Sequence, residues 1–334
     1  MRIRNIAIFF LFPIFANAQV ERLINHKDVI WAAKVEAVVG FDRVQAPLPP
    51  NLLEIVPVKV VQDNPEAPHP SPFTDHLNRL IERGALPAYA DRGLTASLPP
   101  GEARARLIAA DTIVVFDPET YEETVQVVSY DLLGETPFFV VQQLWLFNGR
   151  KNELETIALA IAPAVKSGSQ PDRYQPLVWY KLPAPRRGLS RLKSPAVRFA
   201  THIRYSVSEE QIEVLKGKDK HLKEILVERL QAGTLMGYDQ KRQPIPPSAI
   251  DDIFVQQDTI ITFDPETYEE HVQMVRLEFG PIDITDFSVQ QNWFFAPSRN
   301  SLQCSPLAAG PAIPVIDEYG KQQALRPLFF WRRE

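Results

Sequence analysis

The chain has 334 residues, 45% of them hydrophobic, and that apolar content in regular patterns excludes a disordered polypeptide. Its formal net charge is −5, and no stretch clusters basic with aromatic residues, so it lacks the phosphate-neutralising surface that nucleic-acid binding needs. A lone cysteine, Cys304, rules out an intramolecular disulfide and any cysteine-based metal site.

The first eighteen residues read as a secretory signal peptide. Arg2 and Arg4 give a positive start, Ile6 to Phe15 an apolar run, and Ala16-Asn17-Ala18 a small-x-small cleavage site before Gln19. The run is about ten residues, half of the roughly 20 needed to span a bilayer. No cysteine follows it that could carry a lipid. The expected product is an exported protein without a membrane span, its charge −7 once Arg2 and Arg4 are removed, and long enough for roughly two domains.

Past the leader, the chain is expected to begin with a short extended segment. A helix follows, with Thr74 as its N-cap, Leu77, Leu80 and Ile81 at helical spacing, and Gly84 at the left-handed position that ends it. Thr112 to Phe116 and Tyr121 to Val128 then read as a hairpin. The joining Asp117-Pro118-Glu119-Thr120 has Asp and Pro in the first two turn positions. Alternation in the returning strand puts Tyr121, Glu123, Val125 and Val127 on one face and Glu122, Thr124 and Gln126 on the other, which predicts one buried and one wet face. Further strands are predicted over Phe138 to Phe147, Leu154 to Ile161 and Leu177 to Leu182. The thirty prolines are expected to mark loops and joins.

The pattern then recurs. Asp111 to Val128, DTIVVFDPETYEETVQVV, returns as DTIITFDPETYEEHVQMV over Asp258 to Val275, with 14 of 18 residues identical. Val141-Gln142-Gln143-Leu144-Trp145 matches Val289-Gln290-Gln291-Asn292-Trp293, and Ala162-Pro163-Ala164 matches Gly310-Pro311-Ala312. Gly84, Leu86 and Tyr89 match Gly233, Leu235 and Tyr238, the second helix carrying Leu222, Ile225, Leu226 and Leu230. Strand counterparts fall near Phe287 to Phe295, Leu302 to Ala309 and Leu328 to Arg332. Self-similarity of this reach predicts a duplicated domain, with one copy over 28–183, a basic Pro-rich linker over 184–195 and a second copy over 196–334. Helix followed by antiparallel strands, without βαβ alternation, makes each copy a small α+β domain with a helix packed on a mainly antiparallel sheet.

The acidic group Asp117, Glu119, Glu122 and Glu123, repeated as Asp264, Glu266, Glu269 and Glu270, is where carboxylate catalysis or Ca²⁺ binding would be sought. Ordinary turn chemistry explains it better, because no Asp-x-Asp-x-Asp-Gly run accompanies it. The six histidines occupy no shared position in the two copies, and hydrolase, zinc-protease and phosphate-loop motifs are absent from the sequence. No catalytic, cofactor or metal-ligating residue is expected. The candidate interface residues are Trp145, Trp293 and Trp331 as aromatic anchors, the last on a terminal edge strand that could pair with a neighbouring subunit, and Arg186 and Arg187 in the linker as a basic docking strip. Core packing is the commoner explanation for tryptophans on strands.

Three stretches resemble the GldN (PorN) family of periplasmic gliding-motility proteins of the type IX secretion system. They are Asp111 to Val128 with its Asp-Pro-Glu-Thr turn, Val141 to Pro163 with its Trp-Phe strand and basic turn, and Pro176 to Arg186 with its closing aromatic strand. The resemblance covers about 28–187 and returns over 196–333. It implies a structural, non-enzymatic subunit of a periplasmic ring beneath the outer membrane. Its implied partners are an outer-membrane lipoprotein of the GldK/PorK type, a motor protein of the GldM/PorM type and further copies of itself. Two features depart from the family: a second copy stands where a polar tail is usual, and WAAKVEAVV over Trp31 to Val39 has few of the usual basic residues. The alternative reading is a two-site periplasmic binding module for peptide or glycan, with Trp145 and Trp293 lining matching grooves.

Overall fold

The computed structural model describes residues 19–41, 72–116, 118, 123–135, 138–167, 170–183, 200–263, 270–296, 301–316 and 322–332. The predicted leader and the linker with Arg186 and Arg187 lie outside these residues. So do the hairpin-joining segments, apart from Pro118.

Strand β1 (Val29–Gly40) pairs antiparallel with β6 (Phe138–Asn148), and β6 with β7 (Glu153–Ser167). The sheet continues through β9 (Trp179–Lys181), β2 (Ala88–Tyr89) and β3 (Ser97–Leu98), with β8 (Gln170–Pro176) also on β7. The second sheet runs β10 (Ala200–Ser208), β14 (Asp286–Ala296), β15 (Ser301–Ile316) and β16 (Gln322–Pro327), with β17 (Trp331–Arg332) on β15. Strand for strand, β10, β14, β15 and β17 stand in the order of β1, β6, β7 and β9. Sheet membership does not follow the predicted linker throughout, because β11 (Ile212–Lys216) pairs with β1 and forms the far edge of the first sheet. The fold is α+β, with antiparallel sheets and a few short helices.

Helices α1 (Pro72–Glu82), α2 (Pro100–Ala105), α3 (Leu132–Glu135), α4 (Leu222–Gln231) and α5 (Ile250–Ile253) complete the core. The predicted apolar stripes are correct: Leu77, Leu80 and Ile81 of α1, and Leu222, Ile225, Leu226 and Leu230 of α4, are buried in one cluster. Gly84 and Gly233 end these helices at φ +64° and +67°, a conformation that costs other residues strain. The expected N-cap is wrong. Helix α1 begins at Pro72, whose fixed φ suits a first turn, and Thr74 is a buried residue inside the helix.

The two sheets face each other across one core. Alternate residues of β6, namely Phe139, Val141, Gln143, Trp145 and Phe147, meet alternate residues of β14, namely Phe287, Val289, Gln291, Trp293 and Phe295. Trp145 stands edge-on to Phe287 and Trp293 edge-on to Phe41. The other face of β6 is buried as well, because a helical turn at 19–24 lays Val20, Leu23 and Ile24 against Leu144 and Leu146.

The prolines did not all mark joins. Pro163 and Pro311 lie inside β7 and β15, opposite Phe139 and Phe287. Their carbonyls still accept from the Leu177 and Leu328 amides at 2.9 Å, so proline sits where the strand needs an acceptor and not a donor.

The hairpins stand apart from both sheets. Strand β4 (Ile108–Phe116) pairs only with β5 (Glu123–Asp131), and β12 (Val255–Phe263) only with β13 (Glu270–Glu278), among the described residues. The expectation of one buried and one wet face fails for the first hairpin: Val125 and Val127 are exposed, and so are Thr124 and Gln126. Among the described residues no third layer packs on that ribbon, so alternation separates two faces that are both open.

Candidate functional site

The centre of the molecule is a closed ring of polar side chains between the sheets. The Gln143 amide Nε2 donates to Gln291 Oε1 at 3.2 Å, and Gln291 Nε2 donates back to Gln143 Oε1 at 2.8 Å. Each glutamine also accepts from the tryptophan two residues on, Trp145 Nε1 to Gln143 at 3.1 Å and Trp293 Nε1 to Gln291 at 3.0 Å. The remaining amide protons go to Tyr205 Oη at 3.0 Å and Thr156 Oγ1 at 3.1 Å. Thr156 in turn lies 3.4 Å from Cys304 Sγ. Every amide donor and acceptor of the two glutamines is therefore used, which removes the cost of burying them. The Gln143–Gln291 and Thr156–Cys304 pairs both span 148 residues, so corresponding positions of the two sheets meet face to face.

The titratable members of this ring are held neutral. Burial pushes the Cys304 thiol up to about 12, with the Thr156 bond opposing it only in part, so the reactive thiolate is suppressed. Burial first, and then Cys304, push the Tyr205 phenol well above its usual value. An amide ring with a protonated thiol and phenol offers neither a nucleophile nor a base. Its chemistry is registration of one sheet on the other.

A second set of contacts ties the ends of the sheets to the helices. Arg229 of α4 donates to Gly149 O at 2.9 Å and to Asn152 Oδ1, and its guanidinium lies 5.6 Å from the centre of the Phe147 ring. Trp331 Nε1 donates to Asn152 O at 3.1 Å. At the corresponding place of the second sheet, His76 of α1 stands edge-on to Phe295 at 4.6 Å.

The candidate anchors are therefore not on the surface. Trp145 and Trp293 are wholly buried and Trp331 retains 3% of its exposure, their indoles occupied by Gln143, Gln291 and Asn152. Just before the last strand, Phe330 exchanges backbone hydrogen bonds with Tyr238 at 2.7 and 2.8 Å, an isolated bridge that leads into that strand. Open apolar surface lies instead on the hairpins, for which strand alternation predicts one buried face. Of the eight acidic residues of the repeated group, Glu123 and Glu270 are described and exposed. Among the described residues, no three His, Cys, Asp or Glu side chains converge to hold a metal ion, and no helix is long and apolar enough to cross a membrane.

The family model for the gliding motility associated protein GldN matches residues 24–201. This chain belongs to the GldN family. The match takes in β1 through β9, the first hairpin with them, and reaches the start of β10, which is more than half of the chain. Membership identifies a component of gliding motility and type IX secretion, in a family not known for enzymes. No curated protein matches the chain.

Proposed function

We propose that this GldN-family chain is a structural subunit of the periplasmic ring that serves type IX secretion and gliding, built from two copies of the family's unit in tandem. The carrying observation is the family match over 24–201, followed by a second sheet whose strand order and core residues repeat those of the first. The inert central ring supports a scaffold: its polar groups are spent on one another and none faces an opening. On this reading the leader is cleaved before Gln19 and the mature chain works in the periplasm on the inner face of the outer membrane. It binds a lipoprotein of the GldK/PorK type and connects to a motor protein of the GldM/PorM type, with Arg186 and Arg187 of the linker as a basic docking strip.

Deletion of the gene should abolish export of type IX cargo or surface gliding, and the tagged chain recovered from envelopes should begin at Gln19 and bring the lipoprotein with it. Normal export and movement in the deletion strain would sink the proposal. The binding-module alternative loses its basis, because it needs Trp145 and Trp293 in open grooves and both are buried.

A further inference from the structure

Strand β10 forms one end of the second sheet, and among the described residues no strand pairs with its outer edge. Its nine residues, Ala200–Ser208, thus present a row of backbone N–H and C=O groups on that side, the kind of edge that folded proteins cover. The corresponding edge of the first sheet is covered. There β11 lies along β1, with Ile212 opposite Val35, Glu213 opposite Lys34 and Val214 opposite Ala33. Strand β11 comes from the other half of the chain, following β10 after the single helical turn at Glu209–Gln211 and preceding α4. One half therefore lends a strand to the other's sheet.

Strands β1 and β10 correspond residue by residue through their inner neighbours. Ala33 stands opposite Trp145 and Thr201 opposite Trp293, and Val35 stands opposite Gln143 and Ile203 opposite Gln291, so Lys34 corresponds to His202. The sequence between β1 and α1 holds Leu53-Glu54-Ile55-Val56, which lies outside the described residues and reads like the Ile212-Glu213-Val214-Leu215 of β11. So short a likeness is weak alone, but both runs sit between a corresponding strand and a corresponding helix. Carried across, the register of β11 sets Leu53 opposite Ile203, Glu54 opposite His202 and Ile55 opposite Thr201. The chemistry agrees with that register. Ile212 and Val214 pack on the core while Glu213 is exposed opposite Lys34, so Leu53 and Ile55 fall on the side of the buried Ile203. Glu54 falls on the side of His202, where the positive charges of Arg204 and Arg242 act. A strand tied to the chain at both ends also outcompetes a free one, since a short flexible tether holds it at about millimolar effective concentration.

We propose that the outer edge of β10 is a strand-accepting surface filled by Leu53–Val56 of this same chain, in the register in which β11 fills the edge of β1. Each half then donates one strand to the other's sheet, so the two are interlocked and cannot part as hinged modules. The inference rests on the two-copy part of the proposed function and adds that the β10 edge is closed to strands from other proteins.

The test uses the full mature chain. Cys304 is buried, so the pair Glu54→Cys with His202→Cys should close an intramolecular disulfide under mild oxidation, read as a mobility shift without reductant and by peptide mass. Glu54→Cys with Ser206→Cys, further along β10 by about 13 Å, should not. Because His202 is buried, hydrogen exchange supplies a second reading that leaves it in place. The outward amides of Thr201–Tyr205 should be protected in the unaltered chain, and Ile55→Glu should speed their exchange at least tenfold while β14 keeps its own protection. Val214→Glu should do the same to Ala33–Val35 on the other edge. Amides of β10 that exchange as an open edge would overturn the proposal, as would closure of the second cysteine pair in place of the first. So would protection that Ile55→Glu leaves intact, a disulfide that forms between chains, or protection gained only when the lipoprotein is added, which would give the edge to a partner's strand. None of these results bears on the deletion phenotype, so the strand exchange and the secretion role can fail separately.

Discussion

Strands β6 and β5 are both built of alternating side chains, yet every residue of β6 from Phe139 to Phe147 is buried while β5 is open along its length. The difference is the presence of a second layer. Opposite Gln143 and Trp145 stands a sheet carrying Gln291 and Trp293 at the same positions, so both faces find matched partners within one chain. Among the described residues nothing plays that part for Val125 and Val127. A strand's pattern fixes which residues share a face, and only the neighbouring layer decides whether that face is core or open surface.

The sharpest way to break the comparison is to empty the core side. Trp293→Ala removes a wholly buried indole and leaves Gln291 short of a donor, and it should cost about 3–5 kcal/mol in denaturant unfolding. Next comes Gln143→Leu, which keeps volume but strands the Trp145 indole N–H and one side of the Gln291 amide, at about 1–3 kcal/mol. Adding Gln291→Leu should cost less than a second such penalty, since both amides are then gone. A double-mutant cycle showing simple additivity would mean that the ring is not coupled.

That ring was only partly legible beforehand. The pentapeptides VQQLW and VQQNW showed that glutamine recurs two residues before tryptophan, and Gln143 shares the face of Val141 and Trp145 by strand alternation. A polar residue on an otherwise apolar face, at one position in both segments, was the available signal for a buried pair. What the sequence could not show was that the two meet each other. The apolar stripes and terminating glycines of α1 and α4 were readable because they depend on local spacing and on φ. The start of α1, the strand prolines, the pairing of β11 with β1 and the exposure of the hairpins depend on what packs alongside, and those were missed.

The titrating side of the core gives a smaller, graded effect. Cys304 has its thiol raised from 9.0 to about 12 and Tyr180 its phenol from 10.0 to about 12, both chiefly by burial. The unfolded chain therefore loses these protons at lower pH than the folded one, and stability must fall as pH rises from about 9 towards 12. The steepest slope is about 1.4 kcal/mol per pH unit for each group. Replacing Cys304 by Ala should make the slope between pH 9 and 10 shallower, and an unchanged slope would show that the thiol does not contribute. Smaller again is Gly84→Ala: an alanine at φ +64° costs about 1–2 kcal/mol although the site has open space, so no repacking should accompany the loss.

At the far end of the scale lies the hairpin itself. Val125→Thr exchanges an open apolar side chain for a β-branched polar one of the same shape, which keeps strand propensity and takes nothing from the core. The variant's unfolding free energy should stay within about 0.5 kcal/mol of the wild type, as for other surface changes. Val125 and Trp293 thus make opposite cases, and measuring both in one experiment tests the division between them. If Val125→Thr destabilises the chain by as much as a core truncation, the hairpin has a covering layer inside the chain. If it is silent, nothing within the chain draws stability from that face, and alternation alone was never evidence of burial.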